Sequence, residues 1–339
     1  MKMKRIISLG EALIDFVSIQ SGCGLEESPG FEKTPGGAPA NVAAAVAKLG
    51  GEAGFIGKTG DDPFGYFLRD TLQSVGVDTS QLVHTVAAKT ALAFVSLREN
   101  GERDFMFYRD PSADMLLEPN DIHEEYIRDS FIFHFGSISL ITEPVRSATL
   151  KALHVAKKGD VVISFDPNWR PSLWGSPEQA RKEIEHVLPF VDILKINEEE
   201  MVVFTGTTEV MKAAEYYHTR GIPMIIITLG KEGCYYSYLQ DETKVSGFCK
   251  GLQVEVIDTT GAGDAFVGGL LNRLTELSNE NFHEISIGKM RCLKSHLQEA
   301  VTFAVATSAL AVTKKGAISA LPDREQVESL LRKNGGEII

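Results

Sequence analysis

Apolar residues follow two rhythms along this chain. Short continuous runs at Ile6–Leu9, Ile132–Phe135, Val161–Phe165, Ile193–Ile196 and Met224–Thr228 read as strands buried on both faces. Between them lie stretches with helical spacing, among them Pro144–Lys157 and Pro177–Leu188. Asp62-Pro63 opens another helix, with Phe64, Phe67, Leu68, Leu72 and Val75 on one face and Gly76 as its stop. Asn41–Leu49 is rich in small residues and predicts a helix packed close against a neighbour. Alternation of this kind predicts an α/β fold with a mostly parallel central sheet covered on both faces.

Two regions break the alternation. The segment after the first strand is short, polar and punctuated by Gly and Pro. Further on, Ala91–Leu97 and Asp104–Tyr108 read as a hairpin turning at Glu99-Asn-Gly101. These regions, about 11–35 and 88–112, predict a small β-sheet lid on a single domain spanning 1–339. The stretch 276–295 is polar and patternless and reads as a surface connection.

The 339 residues, 43% hydrophobic, are ample for a large core. A net charge of −12, with no Lys/Arg run, argues against nucleic acid or an anionic membrane as partner. Any anionic ligand must be met by local features. The four cysteines are widely spaced and the eight histidines scattered, so neither predicts a metal site. Glu11 and Asp15 interrupt the first apolar stretch too early for a signal peptide, and no run is long enough to span a bilayer. A soluble cytoplasmic protein is expected.

The densest chemistry lies in Asp258-Thr-Thr-Gly-Ala-Gly-Asp264, read as a turn between a strand at Val254–Ile257 and a helix over Ala265–Arg273. Gly261, Ala262 and Gly263 place bare amides at a helix start, where they attract anions. Asp264 beside that nest suits a base that takes a proton from a hydroxyl while the amides hold a phosphoryl group. An ordinary corner with a first-turn acid is the plainer alternative. Two threonines, two glycines and two aspartates in seven residues favour the chemical reading.

Other clusters admit two readings each. In Pro35-Gly36-Gly37-Ala-Pro-Ala-Asn41, two glycines allow close ligand approach and Asn41 supplies donors and an acceptor, or Asn41 caps a tight turn. Asp15 is a polyol acceptor or a solvated loop acid, and Arg109 a cation reaching over a pocket or an exposed strand end. Asp166-Pro-Asn168-Trp-Arg170 ends a buried strand, where parallel sheets bind ligands, or is a Pro-stabilised turn. Asn197 and Glu200 share a helix face and can orient waters around Mg²⁺ held by ATP phosphates, or form an N-terminal cap. Thr228, Gly230 and Gly233 pack on a nucleotide or form a plain hairpin turn. Gly57-Lys-Thr59 lacks the upstream glycine of a phosphate-binding loop, and Gly261-Ala-Gly263 lacks the third glycine of a dinucleotide fingerprint.

Together, Gly36-Gly-Ala-Pro-Ala-Asn41 and Asp258-Thr-Thr-Gly-Ala-Gly-Asp264 resemble the two signatures of the ribokinase/pfkB carbohydrate kinase family. The resemblance runs from Ile6 to about Pro322 and looks closest to fructokinases, through Gly10-Glu-Ala-Leu-Ile-Asp15-Phe, Asp104-Phe-Met-Phe-Tyr-Arg109, Asp166-Pro-Asn-Trp-Arg170 and Thr313-Lys-Lys-Gly-Ala-Ile. It implies a ribokinase-like fold, a three-layer αβα sandwich with a small β-sheet lid, and ATP-dependent transfer to a sugar primary hydroxyl, giving fructose 6-phosphate in fructokinases. Asp264 would be the base, with Gly261, Ala262 and Gly263 as the anion hole. Asp15, Gly36, Gly37, Asn41, Arg109 and Arg170 would serve the sugar. Asn197, Glu200, Thr228, Gly230 and Gly233 would serve ATP and Mg²⁺. Asp258, Thr260, Ala311, Lys314 and Gly316 fall where family members bind K⁺, although Ala320 replaces a ribokinase hydroxyl. A kinase for 2-keto-3-deoxygluconate or a related keto-sugar acid is the alternative, with Arg109 and Arg170 as a cationic clamp. A non-catalytic sugar- or nucleotide-binding protein is a third reading. A homodimer through exposed lid edges is also expected.

Overall fold

The computed structural model describes residues 4–97, 103–241, 243–281 and 284–334. In chain order its strands are β1 (Ile6–Leu9), β2 (Leu13–Ser18), β3 (Phe31–Gly36), β4 (Ala53–Gly60), β5 (Asp78–Thr85), β6 (Leu92–Leu97), β7 (Arg103–Tyr108), β8 (Ile132–Gly136), β9 (Val162–Asp166), β10 (Ile193–Asn197), β11 (Met224–Thr228), β12 (Gly233–Gln240), β13 (Thr243–Lys250), β14 (Ile285–Ile287) and β15 (Met290–Cys292). The α-helices are α1 (Ala38–Lys48), α2 (Pro63–Ser74), α3 (Glu124–Arg128), α4 (Val145–Lys158), α5 (Pro177–Val187), α6 (Glu198–Thr205), α7 (Val210–His218), α8 (Ala262–Leu277), α9 (Lys294–Ala311) and α10 (Arg324–Lys333).

Among the described residues, nine strands form one sheet in the order β13-β12-β11-β10-β9-β8-β1-β4-β5. Neighbours from β11 through β5 pair in parallel, and β12 runs antiparallel to both its neighbours. Successive residues of each buried strand point to opposite faces, and the core divides accordingly. Ile6, Ile132, Val162 and Ile193 join α1, α8 and α9 on one face. Ile7, Phe133, Ile163 and Leu194 join α4 to α7 on the other. Each fully buried branched side chain is worth roughly 1.5–3 kcal/mol relative to exposure, so both layers are held strongly to the sheet.

The small sheet has the order β3-β2-β6-β7 and is built from the regions expected to form a lid. The β6–β7 pair is antiparallel, as the hairpin pattern predicts. Its predicted turn at Glu99-Asn-Gly101 lies outside the described residues. At α2, Asp62 Oδ1 accepts from the amides of Phe64 (3.0 Å) and Gly65 (2.9 Å), the cap that the Asp-Pro start implies.

Three expectations need correction. Val254–Ile257 is not a strand. Val254 and Val256 line a cavity and Ile257 is exposed, so the apolar run meets a ligand space and solvent, not a sheet. The stretch 276–295 is not merely a surface connection: it holds the β14–β15 hairpin, in which Ile285, Ile287, Met290 and Cys292 are buried. Asn41 does not cap its helix, because α1 already begins at Ala38.

Candidate active site

The site forms where the carboxyl ends of β9, β10 and β11 open below the N-terminus of α8. That helix starts earlier than its apolar periodicity suggests. Gly261 is the N-terminal cap, with φ +71, a left-handed conformation that costs glycine little. The turn therefore finishes at Gly261, and the amides of Gly263 and Asp264 fall in the first helical turn, beyond reach of any carbonyl of the same helix. The Ala262 amide turns back to the Thr259 carbonyl at 3.3 Å, so it is less available than its neighbours.

Asp264 is buried, and Asn41 Nδ2 donates to its Oδ2 at 2.8 Å. This contact depends on how α1 meets α8. A Cβ added at Gly268 would stand 2.4 Å from the Ala45 Cβ, so the bare glycine lets the two helices approach closely enough to join Asn41 to Asp264. Burial pushes the Asp264 carboxyl up to about 6, while the Asn41 hydrogen bond works in the opposite direction. A carboxyl poised there is largely ionised at neutral pH and still able to accept a proton in mid-reaction.

A cavity of about 750 Å³ spreads from this corner. Gly261, Ala262, Gly263, Asp264, Arg170, Asn197, Thr228, Gly230 and Gly233 all line it. Asp15, Gly36, Gly37, Asn41 and Arg109 do not; of these, Asn41 is joined to the cavity wall through its bond to Asp264. The Asp15 carboxylate lies over the bare Cα of Gly36, where a Cβ would stand 2.1 Å from Oδ2. Arg170 lies with its guanidinium carbon 5.9 Å from the Phe105 ring of β7, which brings that strand over the cavity mouth.

Two residues sit differently from the resemblance. Arg109 is folded back onto Asp114: its Nε donates to Oδ2 at 3.0 Å, and the two side chains are only 7% and 3% exposed. Glu200 is buried, and both its oxygens are occupied, Oε2 by the Asn197 amide (2.9 Å) and Oε1 by the Trp169 amide (2.7 Å). With Asn197 Oδ1 accepting the Glu200 amide at 2.8 Å, this is the reciprocal cap of α6. Its neighbours Glu198 and Glu199 are the acids that reach the cavity.

Asp258 binds two of the residues expected around a cation, Thr260 and Gly316. Its Oδ1 accepts from the Thr260 amide (2.9 Å) and hydroxyl (2.7 Å), and its Oδ2 from the Gly316 amide (2.9 Å). Ala311 ends α9 above this knot, and Lys314 lies in the loop that follows. Among the described residues no cluster of three or more His, Cys, Asp or Glu side chains forms a metal cage. No helix among them is long and apolar enough to cross a membrane.

Two buried charged groups beside the site are not singled out by the sequence. Glu11 is buried beside the Gly36-Gly37 turn: Oε1 accepts the Ala38 amide at 3.0 Å, and Oε2 has no partner among the described residues. Burial pushes its carboxyl up to about 7. Lys195 lies within the apolar run of β10, lines the cavity, and pairs with Asp166 at 3.0 Å. A charge inside a buried strand is itself a signal, because it requires a partner.

A bare-amide helix start, a buried carboxylate and a large cavity at the strand ends define a phosphoryl-transfer site of the αβα kinase type. The sequence matches the pfkB carbohydrate kinase family over residues 3–324, and the chain belongs to that family. It is 46% identical over 327 residues to fructokinase-1 of Oryza sativa subsp. japonica, covering 96% of this chain and 97% of that protein. Among solved structures it resembles fructokinase from Xylella fastidiosa with bound ATP, at 32% identity and a TM-score of 0.83, covering 98% and 99% of the two chains. It also resembles a fructokinase double mutant from Vibrio cholerae O395 bound to fructose, ADP and potassium ion, at 34% identity and a TM-score of 0.83, covering 97% and 99%.

Proposed function

We propose that the protein is a fructokinase, transferring the γ-phosphoryl group of ATP to a primary hydroxyl of fructose to give fructose 6-phosphate. The observation that carries this is Asp264, held by Asn41 at the N-terminus of α8 on the wall of the cavity. The sugar oxygen attacks the γ-phosphorus, the bond to the β–γ bridging oxygen breaks, and ADP leaves with that electron pair. Asp264 takes the hydroxyl proton, and the amides of Gly263 and Asp264 hold the phosphoryl oxygens. Asp15, Gly36 and Gly37 serve the sugar. Asn197, Thr228, Gly230 and Gly233 serve the nucleotide.

Mg²⁺ enters with ATP. Such an ion needs only one or two carboxylates besides phosphate oxygens and water, and Asn197, Glu198 and Glu199 on the cavity wall fit it. When bound, it would neutralise negative charge on the nucleotide phosphates. A monovalent cation behind the anion hole is part of the same reading, supported by the Asp258–Thr260–Gly316 knot and by potassium in a similar fructokinase. The small sheet acts as the lid, and its exposed Met106 and Tyr108 suit a homodimer contact. A cytoplasmic location fits four free, buried cysteines.

The keto-acid alternative loses support from Arg109. The expected clamp used Arg109 together with Arg170, and Asp114 already neutralises Arg109. The deciding experiment is coupled ADP release against ketoses, aldoses and keto-sugar acids, in potassium chloride and in tetramethylammonium chloride. The highest kcat/KM is expected for fructose, with a higher rate in potassium. A higher kcat/KM for a keto acid would overturn the assignment.

A further inference from the structure

Lys195 has no role in the chemistry so far, yet its position is demanding. It is the third residue of β10, and its side chain is only 7% exposed. Its Nζ donates to Asp166 Oδ2 at 3.0 Å, and among the described residues no other acceptor bonds to it. A lysine carries three N–H donors, so two remain for something else. Asp166 Oδ1 accepts the Asn168 amide at 3.2 Å, and both Glu200 oxygens accept backbone amides, so these neighbouring acids are already engaged. The decisive distance concerns the helix start. A Cβ built on Gly263 would stand 3.2 Å from Lys195 Nζ. The ammonium therefore stands against the Gly263 backbone, beside the amides that open α8.

We propose that Lys195 is a catalytic residue, whose ammonium contacts the phosphoryl group in transfer and neutralises charge that the helix-start amides hold by hydrogen bonds alone. The proposal rests on the fructokinase reading and deepens it. Lys195 keeps its proton throughout: the sugar proton goes to Asp264 and the electron pair to ADP. The surrounding charges suit this. Burial alone would lower the lysine's affinity for its proton, but Asp166, Glu200 and Asp264 more than reverse that effect. His134 also faces the cluster and is pushed down to about 4 by burial, so it adds no competing cation at neutral pH. In a dry, low-dielectric corner a fixed cation stabilises developing anionic charge far better than it does in water.

The competing explanation is that Lys195 merely balances Asp166. Variants K195M, K195R, D166N and K195M/D166N separate the two. K195M is expected to lower kcat by about 10²–10³-fold, the scale of losing one oxyanion contact, with fructose KM changed less than about 3-fold. K195R is expected to recover part of kcat. ADP with aluminium fluoride, a mimic of the transferring phosphoryl, is to be titrated calorimetrically with and without fructose. Wild type is expected to bind it more tightly than ADP alone, and K195M to lose that gain. Return of kcat in K195M/D166N to within a few-fold of D166N would overturn the proposal, as would aluminium fluoride binding left intact in K195M. The double variant also serves if K195M alone fails to fold, since it carries no orphaned carboxylate. Wild type that releases no ADP with fructose would count against the fructose assignment, and the aluminium fluoride titration then decides the role of Lys195 independently.

Discussion

Asp264→Asn should make the apo protein more stable and nearly inactive, and the two effects share one cause. Burial raises the folded-state carboxyl from 3.8 to about 6, so ionised Asp264 costs the native state free energy. The carboxyl's favourable contribution is fully present below the unfolded value of 3.8 and lost as pH rises through about 6. A shift of about 2 units corresponds to roughly 3 kcal/mol. Asparagine has the same shape, and its Oδ1 can accept from Asn41 Nδ2 in place of the carboxylate, so no cavity or orphaned donor arises. For a chain of this length roughly 3 kcal/mol raises Tm by about 4 °C.

The check is calorimetry of both proteins without ligands at pH 4 and pH 8. A gain of a few degrees at pH 8, absent at pH 4, is expected. Fructose phosphorylation should fall by about 10²-fold or more in kcat, the scale of removing a positioned base. Wild-type kcat/KM should decline below about pH 6 as Asp264 protonates in the free enzyme. A pH-independent change in Tm would refute the argument that burial perturbs this carboxyl. Near-normal kcat would remove the base.

Glu11→Gln should also stabilise the protein at pH 8.5 relative to pH 5, because burial raises Glu11 from 4.5 to about 7 and wild type loses stability as pH rises through that value; equal pH dependence of Tm in the two proteins would count against it. Arg109→Ala orphans buried Asp114 and should cost about 3–5 kcal/mol in urea denaturation, with the double change R109M/D114L costing less. Gly263→Ala crowds Lys195 Nζ at 3.2 Å and should lower kcat by about 10-fold while fructose KM holds, measured by steady-state kinetics.

What could be read without coordinates was whatever announces itself locally. The αβα layering was legible because buried parallel strands are continuous apolar runs, and α2 was announced by its Asp62-Pro63 start together with the apolar face from Phe64 to Val75. β4 was not legible: Ala53–Gly60 carries three glycines, which propensity assigns to turns, yet every residue of it is buried. Val254–Ile257 misled in the opposite direction, since apolar residues lining a ligand cavity look like a strand. Arg109 and Glu200 illustrate a subtler limit. Motif position places both near the site, but only coordinates show their charges spent on Asp114 and on backbone amides.

The site is more compact than its motifs suggest. Asn41 and Asp264 stand 223 positions apart, and neither helix alone gives a reason for the other's polar side chain. The reason lies in the small-residue faces between them. Ala45 against Gly268 sets the approach of α1 to α8, and that approach brings Asn41 to Asp264. Enlarging the contact with Gly268→Val should therefore damage catalysis without touching either polar residue. The branched side chain must push the helices apart, lengthening the Asn41–Asp264 bond, and a displacement near 1 Å at a reacting group can cost about 10²-fold in rate. Without Asn41's donor, which opposes the upward shift, Asp264 would also hold its proton to higher pH. The acid limb of the kcat/KM profile should then move upward together with the loss of kcat. A fall in kcat with the acid limb unmoved would show that the helices separate without disturbing this hydrogen bond, and would break the proposed link between packing and base strength.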